Sequence, residues 1–211
     1  MSQGTYADVM SEGTSFIEIR ICLEDPPELS LLVRTLAAVG HQFDEYLRRE
    51  HRELSGAARL FVREIRKGST IIELIPQLVM PLVASMDTVL IVDNFVRRFG
   101  GTIQDYIDGI KPQVTKSDVA DFMGPVALLA NDSNGRAIIS SATYHETKTT
   151  KRIEIEFDTS QAKKAIVHLE QHKHELELPA YEVFKNVLMV FWQSNKKNPK
   201  TGKPTGEKAI I

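Results

Sequence analysis

The stretch 58–99 constrains the fold more than any other part of the chain, because the spacing of its apolar residues changes within it. β-Branched and aromatic residues fill two arms, 60–65 and 70–75, and Gly68 between them supplies the positive φ that a tight connection usually needs. This pattern predicts a β-hairpin. We expect its second arm to end at Pro76, since proline has no N–H to give to a strand ladder.

From Gln77 the apolar residues recur at a spacing of about 3.6 residues, which is typical of a helix. Val89, Leu90 and Val96 belong to its predicted apolar face, and Gly100-Gly101 is its predicted stop. A helix that is apolar on most of its circumference is normally central in a fold. The alternative is a membrane-seeking effector that uses the apolar segment 71–92. A buried helix is favoured, because charged residues bracket an uncharged run too short to span a bilayer.

The composition narrows the class of protein. A net charge of −2 and a pI near 6.3 argue against a dedicated nucleic-acid binder, which usually has a strong basic excess. Cys22 is the one cysteine, so no internal disulfide can form and a reducing compartment is favoured. Residues 1–13 lack the apolar run of a signal peptide and are predicted to be a disordered leader. We expect a soluble, cytoplasmic protein of bacterial type.

Local signals place the remaining elements. Isoleucines alternate with polar residues over 16–23, which predicts a strand. Three capping boxes predict helix starts. The first runs from Asp25 to Glu28, the second from Thr115 to Asp118 and the third from Asp158 to Gln161. A second hairpin is expected from 136–145 and 151–157, and a third from the apolar run before Trp192 and the returning arm 207–211.

The total predicts an α+β fold: strand, helix, hairpin, long apolar helix, a helical middle, then hairpin, helix and hairpin, in a mixed or antiparallel sheet. The loop at 131–135 is the best predicted boundary. The predicted organisation is therefore a leader at 1–13, an N-terminal α+β core at 14–132, and a C-terminal β-rich subdomain at 133–211. The two parts could also form one domain, with its end incomplete.

Few side chains suggest chemistry. His168 and His172 are spaced i,i+4 on a predicted helix, so both imidazoles could reach one metal ion, but no third ligand stands at a diagnostic position. Asp87 and Asp93 interrupt the apolar helix and are candidate functional acids if they are buried. No phosphate-binding, dinucleotide-binding or nucleophile motif is present, so no catalytic residue and no cofactor is predicted.

The sequence therefore favours a non-enzymatic protein-binding or assembly module over an enzyme. The predicted interaction surface is the terminal apolar strand, since the returning arm is short and leaves an edge for a second copy, a following domain or another protein to cover. Its residues are Val187, Val190, Phe191 and Trp192. The alternative from another class is a metal-assisted hydrolase that uses His168 and His172.

Overall fold

The computed structural model describes residues 14–56, 58–66, 70–78, 85–145, 148–178, 190–193 and 208–210. The strands are β1 (Ser15–Cys22), β2 (Ala58–Arg66), β3 (Thr70–Leu78), β4 (Arg136–His145), β5 (Lys148–Asp158), β6 (Val190–Gln193) and β7 (Lys208–Ile210). The helices are α1 (Leu29–Glu50), α2 (Ser85–Ile107), α3 (Lys116–Ala130) and α4 (Thr159–Glu177), with a short 3₁₀ turn at Arg52–Leu54.

Five strands form one antiparallel sheet in the order β2-β3-β1-β4-β5. The alternating isoleucines of β1 all point to one face, where Ile17, Ile19 and Ile21 join the hydrophobic core. The same core contains the apolar sides of the four helices, so the helices cover this face of the sheet, called here the helix face. The opposite side is called the outer face. This architecture confirms the predicted α+β class.

The first hairpin is confirmed in its pairing, but its second arm is longer than predicted. Strand β3 continues through Pro76 to Leu78, and Pro76 lies opposite Leu60 of β2. The pairing of β3 with β1 reaches only as far as Leu74. Proline is tolerated there because, of the described strands, only β2 pairs with β3 at that point, so one side of the strand needs no donor. The predicted turn at Gly68 lies outside the described residues.

Helix α2 differs from the predicted long apolar helix in its bounds and in its faces. It begins at Ser85, not near Gln77, and it runs straight through Gly100-Gly101. Leu90 is exposed together with polar residues, so the described part of the helix is amphipathic. The predicted stop was wrong because Gly100 packs closely against Ile155 of β5, a tertiary reason for glycine that a local pattern does not reveal.

Two of the three predicted capping boxes are confirmed. Thr115 and Asp118 exchange side chain-to-backbone hydrogen bonds at the start of α3. Asp158 and Gln161 do the same before α4, at 2.8 and 3.0 Å. The box at Asp25 was wrong: α1 begins four residues later at Leu29, behind an extended Glu28 that makes no side-chain cap bond. Two successive prolines precede that residue and hold the chain away from helical geometry.

The chain divides into two compact units, 1–177 and 178–211. The loop at 131–135, the predicted boundary, connects α3 to β4 inside the first unit, where β4 pairs with β1. In the second unit β6 and β7 pair antiparallel, with Val190 opposite Ile210, as the predicted terminal hairpin requires. Within the ranges given above, none of the helices combines the length and hydropathy that crossing a bilayer requires.

Candidate functional site

Strand β2 forms one edge of the five-stranded sheet and exposes large apolar side chains. Phe61, Val62 and Ile65 are 49 %, 52 % and 61 % exposed. Their cross-strand partners on β3, Leu74 and Ile72, belong to the core. Val62 and Ile65 themselves are not covered in this way. The apolar cover of the helix face therefore stops short of this edge.

The backbone of β2 is also open on one side. Among the described residues only β3 pairs with it, so its outward N–H and C=O groups form a free ladder edge. Natural edge strands usually carry charges or bulges that discourage pairing with other chains. Strand β5, the other edge, follows this pattern: its exposed described side chains are charged or threonine. Strand β2 also carries exposed charges and a bulge between Val62 and Glu64, but it differs from β5 in that three large apolar side chains are exposed beside its open ladder.

Behind this edge, the outer face of the sheet carries two buried carboxylates side by side. Glu18 of β1 and Glu73 of β3 are direct cross-strand partners and are only 4 % and 1 % exposed. Like charges directly opposite each other are destabilising. Burial adds a desolvation cost, so both groups need cationic partners.

Four cations provide that balance. Arg63 donates to Glu73 at 2.6 Å, and Arg66 also contacts this carboxylate. Arg20 and Lys151 reach Glu18 at 3.2 and 3.1 Å. We call these groups the outer-face ion row; they are Glu18, Glu73, Arg20, Arg63, Arg66 and Lys151. The row links β2, β3, β1 and β5, so it ties both edge strands to the centre of the sheet.

The ion row contains no free base. Burial alone would lower the pKa of Lys151, but hydrogen bonds to Glu154 and Glu18 outweigh it and raise the pKa above its ordinary value. The ammonium therefore stays protonated. Ser140, directly opposite Glu18, is buried, and its hydroxyl makes no hydrogen bond among the described residues. A serine nucleophile needs a neighbouring base, and the ionised groups of this row already hold one another.

A second polar cluster joins α1 to α3 around Asp118, which is 1 % exposed. Its carboxylate accepts hydrogen bonds from Gln42 at 3.0 Å, Arg49 at 2.8 Å and the Thr115 backbone at 2.9 Å. Burial would raise the pKa of Asp118, but the bonds from Arg49, Gln42 and Thr115 lower it to about 2. The group is thus a fixed anion that clamps two helices and cannot take up a proton near neutral pH.

His168 and His172 serve different partners. His168 Nδ1 donates to the backbone carbonyl of Tyr106 at 2.6 Å, and His172 Nδ1 lies 2.8 Å from the Tyr106 hydroxyl. Burial raises the pKa of the Tyr106 phenol, with additional effects of Asp118 and Asp105, so the hydroxyl keeps its proton and shares a hydrogen bond with His172 Nδ1. Both histidines fasten α4 to the end of α2. Among the described residues, no three His, Cys, Asp or Glu side chains are placed to share a metal ion.

We expect Tyr106→Phe to lower the free energy of unfolding by about 1–3 kcal/mol, because it leaves a buried imidazole nitrogen of His172 without its hydrogen-bond partner. Urea unfolding followed by circular dichroism measures this loss. Tyr144→Phe is the control, since Tyr144 lies in β4 and is only partly buried. Equal losses in the two variants would contradict a role for the Tyr106–His172 hydrogen bond.

The candidate acids of α2 are also accounted for in part. Asp93 accepts hydrogen bonds from Arg152 of β5 at 2.9 and 3.0 Å, and Arg152 also reaches Ser15 of β1. This half-buried ion pair ties the helix to the sheet, so Asp93 is not an isolated buried acid. The side chain of Asp87 lies outside the described residues, as do those of Val187, Val190, Phe191 and Trp192. Their predicted interaction role stays a prediction.

Two cavities lie next to these clusters. An open groove of about 740 Å³ runs along the start of α4, where Lys163, Lys164 and His168 face Asp158. A smaller cavity of about 180 Å³ lies beside Asp118, between Arg49 and Arg98 and above the aromatic core. The charges around both cavities are of mixed sign, and Arg98 is already paired with Glu50 at 2.6 Å. Ser160 and His168 both line the groove, but no described hydrogen bond joins a serine or threonine hydroxyl to a histidine in either cavity, so neither shows an activated nucleophile.

Sequence reasoning missed the exposed edge of β2, the carboxylate pair and the Asp118 clamp. A charged residue in the middle of an apolar arm, Glu73, was the one available signal for the outer-face row. Comparisons of the chain with protein-family models, with curated proteins and with solved structures find no match. The function therefore has to be inferred from the residues themselves.

Proposed function

We propose that this protein is a non-enzymatic protein-binding or assembly module whose docking surface is the free edge of β2. The observation that carries the proposal is the coincidence, on one strand, of a ladder edge with which no described strand pairs and the exposed side chains of Phe61, Val62 and Ile65. Added strands bind such edges through main-chain hydrogen bonds, and side chains on alternate faces supply specificity. The single cysteine supports a reducing compartment such as the cytoplasm.

The ion row behind the strand supports the same proposal. A docking edge must keep its shape while its outer ladder is empty. Arg63 and Arg66 anchor β2 to the buried Glu73 of β3. Charged groups held in a buried network order their side chains more strongly than exposed pairs do. The edge strand is therefore fixed in place before a partner arrives.

The hydrolase alternative would use His168 and His172 together. In the described contacts His168 Nδ1 bonds to the Tyr106 carbonyl and His172 Nδ1 bonds to the Tyr106 hydroxyl, so both rings are already engaged by the same residue. Zinc analysis of the purified protein tests this alternative. Stoichiometric zinc that is lost in His168→Ala would favour the hydrolase over the module.

We expect the wild-type chain to associate at micromolar concentration and Val62→Lys to weaken that association about tenfold or more. A lysine on the free edge places a charge where a docked strand would bury apolar surface. The molar mass by light scattering, over a wide range of protein concentration, measures the effect. Val167→Lys is the matched control, since Val167 on α4 is 58 % exposed and lies far along the chain from β2.

Val190→Lys tests the surface predicted from the sequence in the same assay. Association that survives Val62→Lys and is lost in Val190→Lys would move the docking surface to β6. A mass of one chain at every concentration, with no effect of either variant, would overturn self-assembly.

A further inference from the structure

The irregularity in β2 changes which of its side chains share a face. Val62 lies opposite Leu74, and Glu64 lies opposite Glu73, so two steps along β2 correspond to one step along β3. Arg63 is the extra residue of this bulge. Val62 and Ile65 consequently share the helix face, although residues three apart in a regular strand point to opposite faces.

The same shift places Phe61 and Arg66 together on the outer face. Phe61 lies opposite Ile75 and Arg66 opposite Ile71, both on the side of the sheet that carries Glu73. Arg63 also reaches this side, since its guanidinium binds Glu73 and lies 5.6 Å from the centre of the Tyr144 ring. The strand thus has a sequence of faces that is symmetric about the Arg63–Glu64 bond.

We infer that β2 pairs antiparallel with β2 of a second copy of this chain, about a two-fold axis between Arg63 and Glu64. This inference rests on the proposed function and names the partner. In this register Val62 lies opposite Ile65 of the second copy, and Phe61 lies opposite Arg66. Arg63 of each copy lies opposite Glu64 of the other copy.

The symmetry requires matching faces. A two-fold axis normal to the sheet leaves each face where it is, so residues that lie opposite each other must come from the same face. A regular strand meets this condition only for residues an even number apart. Because of the bulge, residues one, three and five apart on β2 can also share a face. In the register about Arg63 and Glu64, the pairs 63 with 64, 62 with 65 and 61 with 66 each come from one face.

The side chains in this register are complementary. Val62 with Ile65 extends the apolar helix face across the dimer. Arg63 with Glu64 pairs opposite charges directly, and the Arg66 guanidinium faces the Phe61 ring as a cation–π partner. A register with Glu64 opposite Glu64 would place like charges together and set Val62 against Arg66 across different faces. The charge pattern thus selects one pairing.

Charges on an edge strand usually argue against pairing, but here the two-fold axis places Arg63 opposite Glu64, while Arg66 keeps its contacts with Glu73 and Glu64 of its own chain. The strand carries arginine and glutamate in adjacent positions at the centre of symmetry. Pairing of two nine-residue strands buries less surface than a standard interface. The dimer should therefore form and dissociate in the micromolar range, consistent with a module that assembles on demand.

Disulfide trapping tests the register in the full-length chain. Cys22→Ser provides a cysteine-free background, since Cys22 is the one native cysteine. Chains carrying Val62→Cys are mixed with chains carrying Ile65→Cys under mild oxidation and analysed on a non-reducing gel. The proposed register puts these positions directly opposite, within the Cβ separation that a disulfide tolerates after small adjustments.

Each cysteine chain alone is the matched control. Identical positions would lie three residues out of register, about 10 Å apart along the strands, which is too far for a disulfide. We expect the mixture to form covalent dimers at least about tenfold faster than Val62→Cys alone. Phe61→Cys with Arg66→Cys repeats the test on the outer face.

The outcomes separate this inference from the proposed function. Dimers by light scattering that show no preference for the mixed pair, or that depend on Val190 instead of Val62, would uphold an assembly module and overturn the β2 pairing. A chain that stays monomeric at every concentration would overturn the β2 pairing and self-assembly, and would leave binding of a different protein as the role of the edge. Preferential trapping of the mixed pair, with association lost in Val62→Lys, would support both.

Discussion

Gly100→Ala is expected to destabilise the protein by about 1–2 kcal/mol, whereas Gly101→Ala should stabilise it by about 0.5–1 kcal/mol. Both glycines lie inside α2, where alanine is the better helix former. At Gly100 an added methyl group would come within 3.0 Å of the Ile155 Cβ and closer still to its Cδ1. At Gly101 nothing lies within 4 Å, so only the helix propensity changes.

Thermal and urea unfolding of the two variants measure the difference. Each variant is the control for the other, since the two substitutions have the same chemistry on adjacent positions of one helix. Gly100→Ala combined with Ile155→Val tests the contact itself, because a shorter side chain on β5 should recover part of the loss. Equal effects of Gly100→Ala and Gly101→Ala would show that α2 does not pack closely on β5.

This pair also shows where sequence reasoning succeeded and where it failed. Alternation in β1 and the two hairpin arms depends on neighbouring residues, so the pattern correctly placed Ile17, Ile19 and Ile21 on a core face. A double glycine has two physical explanations, a helix stop and a close approach. Only the position of β5, more than fifty residues away in the chain, decides between them.

The polar clusters could not be predicted from the sequence for a related reason. Glu18 and Glu73 become neighbours through the register of β1 with β3, which no local pattern specifies. Asp118 was placed correctly as a capping residue, but its contact with Arg49 depends on how α1 crosses α3. Local hydrogen bonds were predictable, and long-range ion pairs were not.

The composition of β2 does not reveal that this strand is an exposed edge. Phe61, Val62 and Ile65 have the β-branched and aromatic character of a buried arm, so the pattern predicted a strand correctly and left its exposure open. Exposure depends on the place of the strand in the sheet, and the order β2-β3-β1-β4-β5 puts this arm at the edge. The bulge at Arg63 has no sequence signal, since neither glycine nor proline marks it.

Removal of the Asp118 carboxylate is the second large expected effect. We expect Asp118→Asn to lower the free energy of unfolding at neutral pH by about 2–4 kcal/mol, because it removes the buried charge partner of Arg49 and leaves only the more distant Glu45, at 3.4 Å. Arg49 is about one-third exposed, which puts the effect below that of a fully buried pair. Asp121→Asn is the matched control, since Asp121 lies one turn further along α3 and also accepts from Gln42.

The charge of Asp118 makes its contribution to the free energy of unfolding depend on pH. The pKa of Asp118 is about 2 in the folded protein and 3.8 for an ordinary aspartate, so the folded state holds the carboxylate ionised more strongly than the unfolded chain does. A lowered pKa contributes stability above the ordinary value, and that contribution disappears as the pH falls through the folded value. Each pKa unit corresponds to about 1.4 kcal/mol, so the contribution is about 2 kcal/mol.

Unfolding by urea at several pH values therefore distinguishes a charge effect from a packing effect. The stability difference between wild type and Asp118→Asn should be constant above about pH 5 and shrink by about 2 kcal/mol between pH 4 and pH 2. Asp121→Asn should show a smaller loss at neutral pH, because the Asp121 side chain is more exposed. A difference that stays the same from pH 7 to pH 2 would mean that shape, and not the ionised carboxylate, holds α1 against α3.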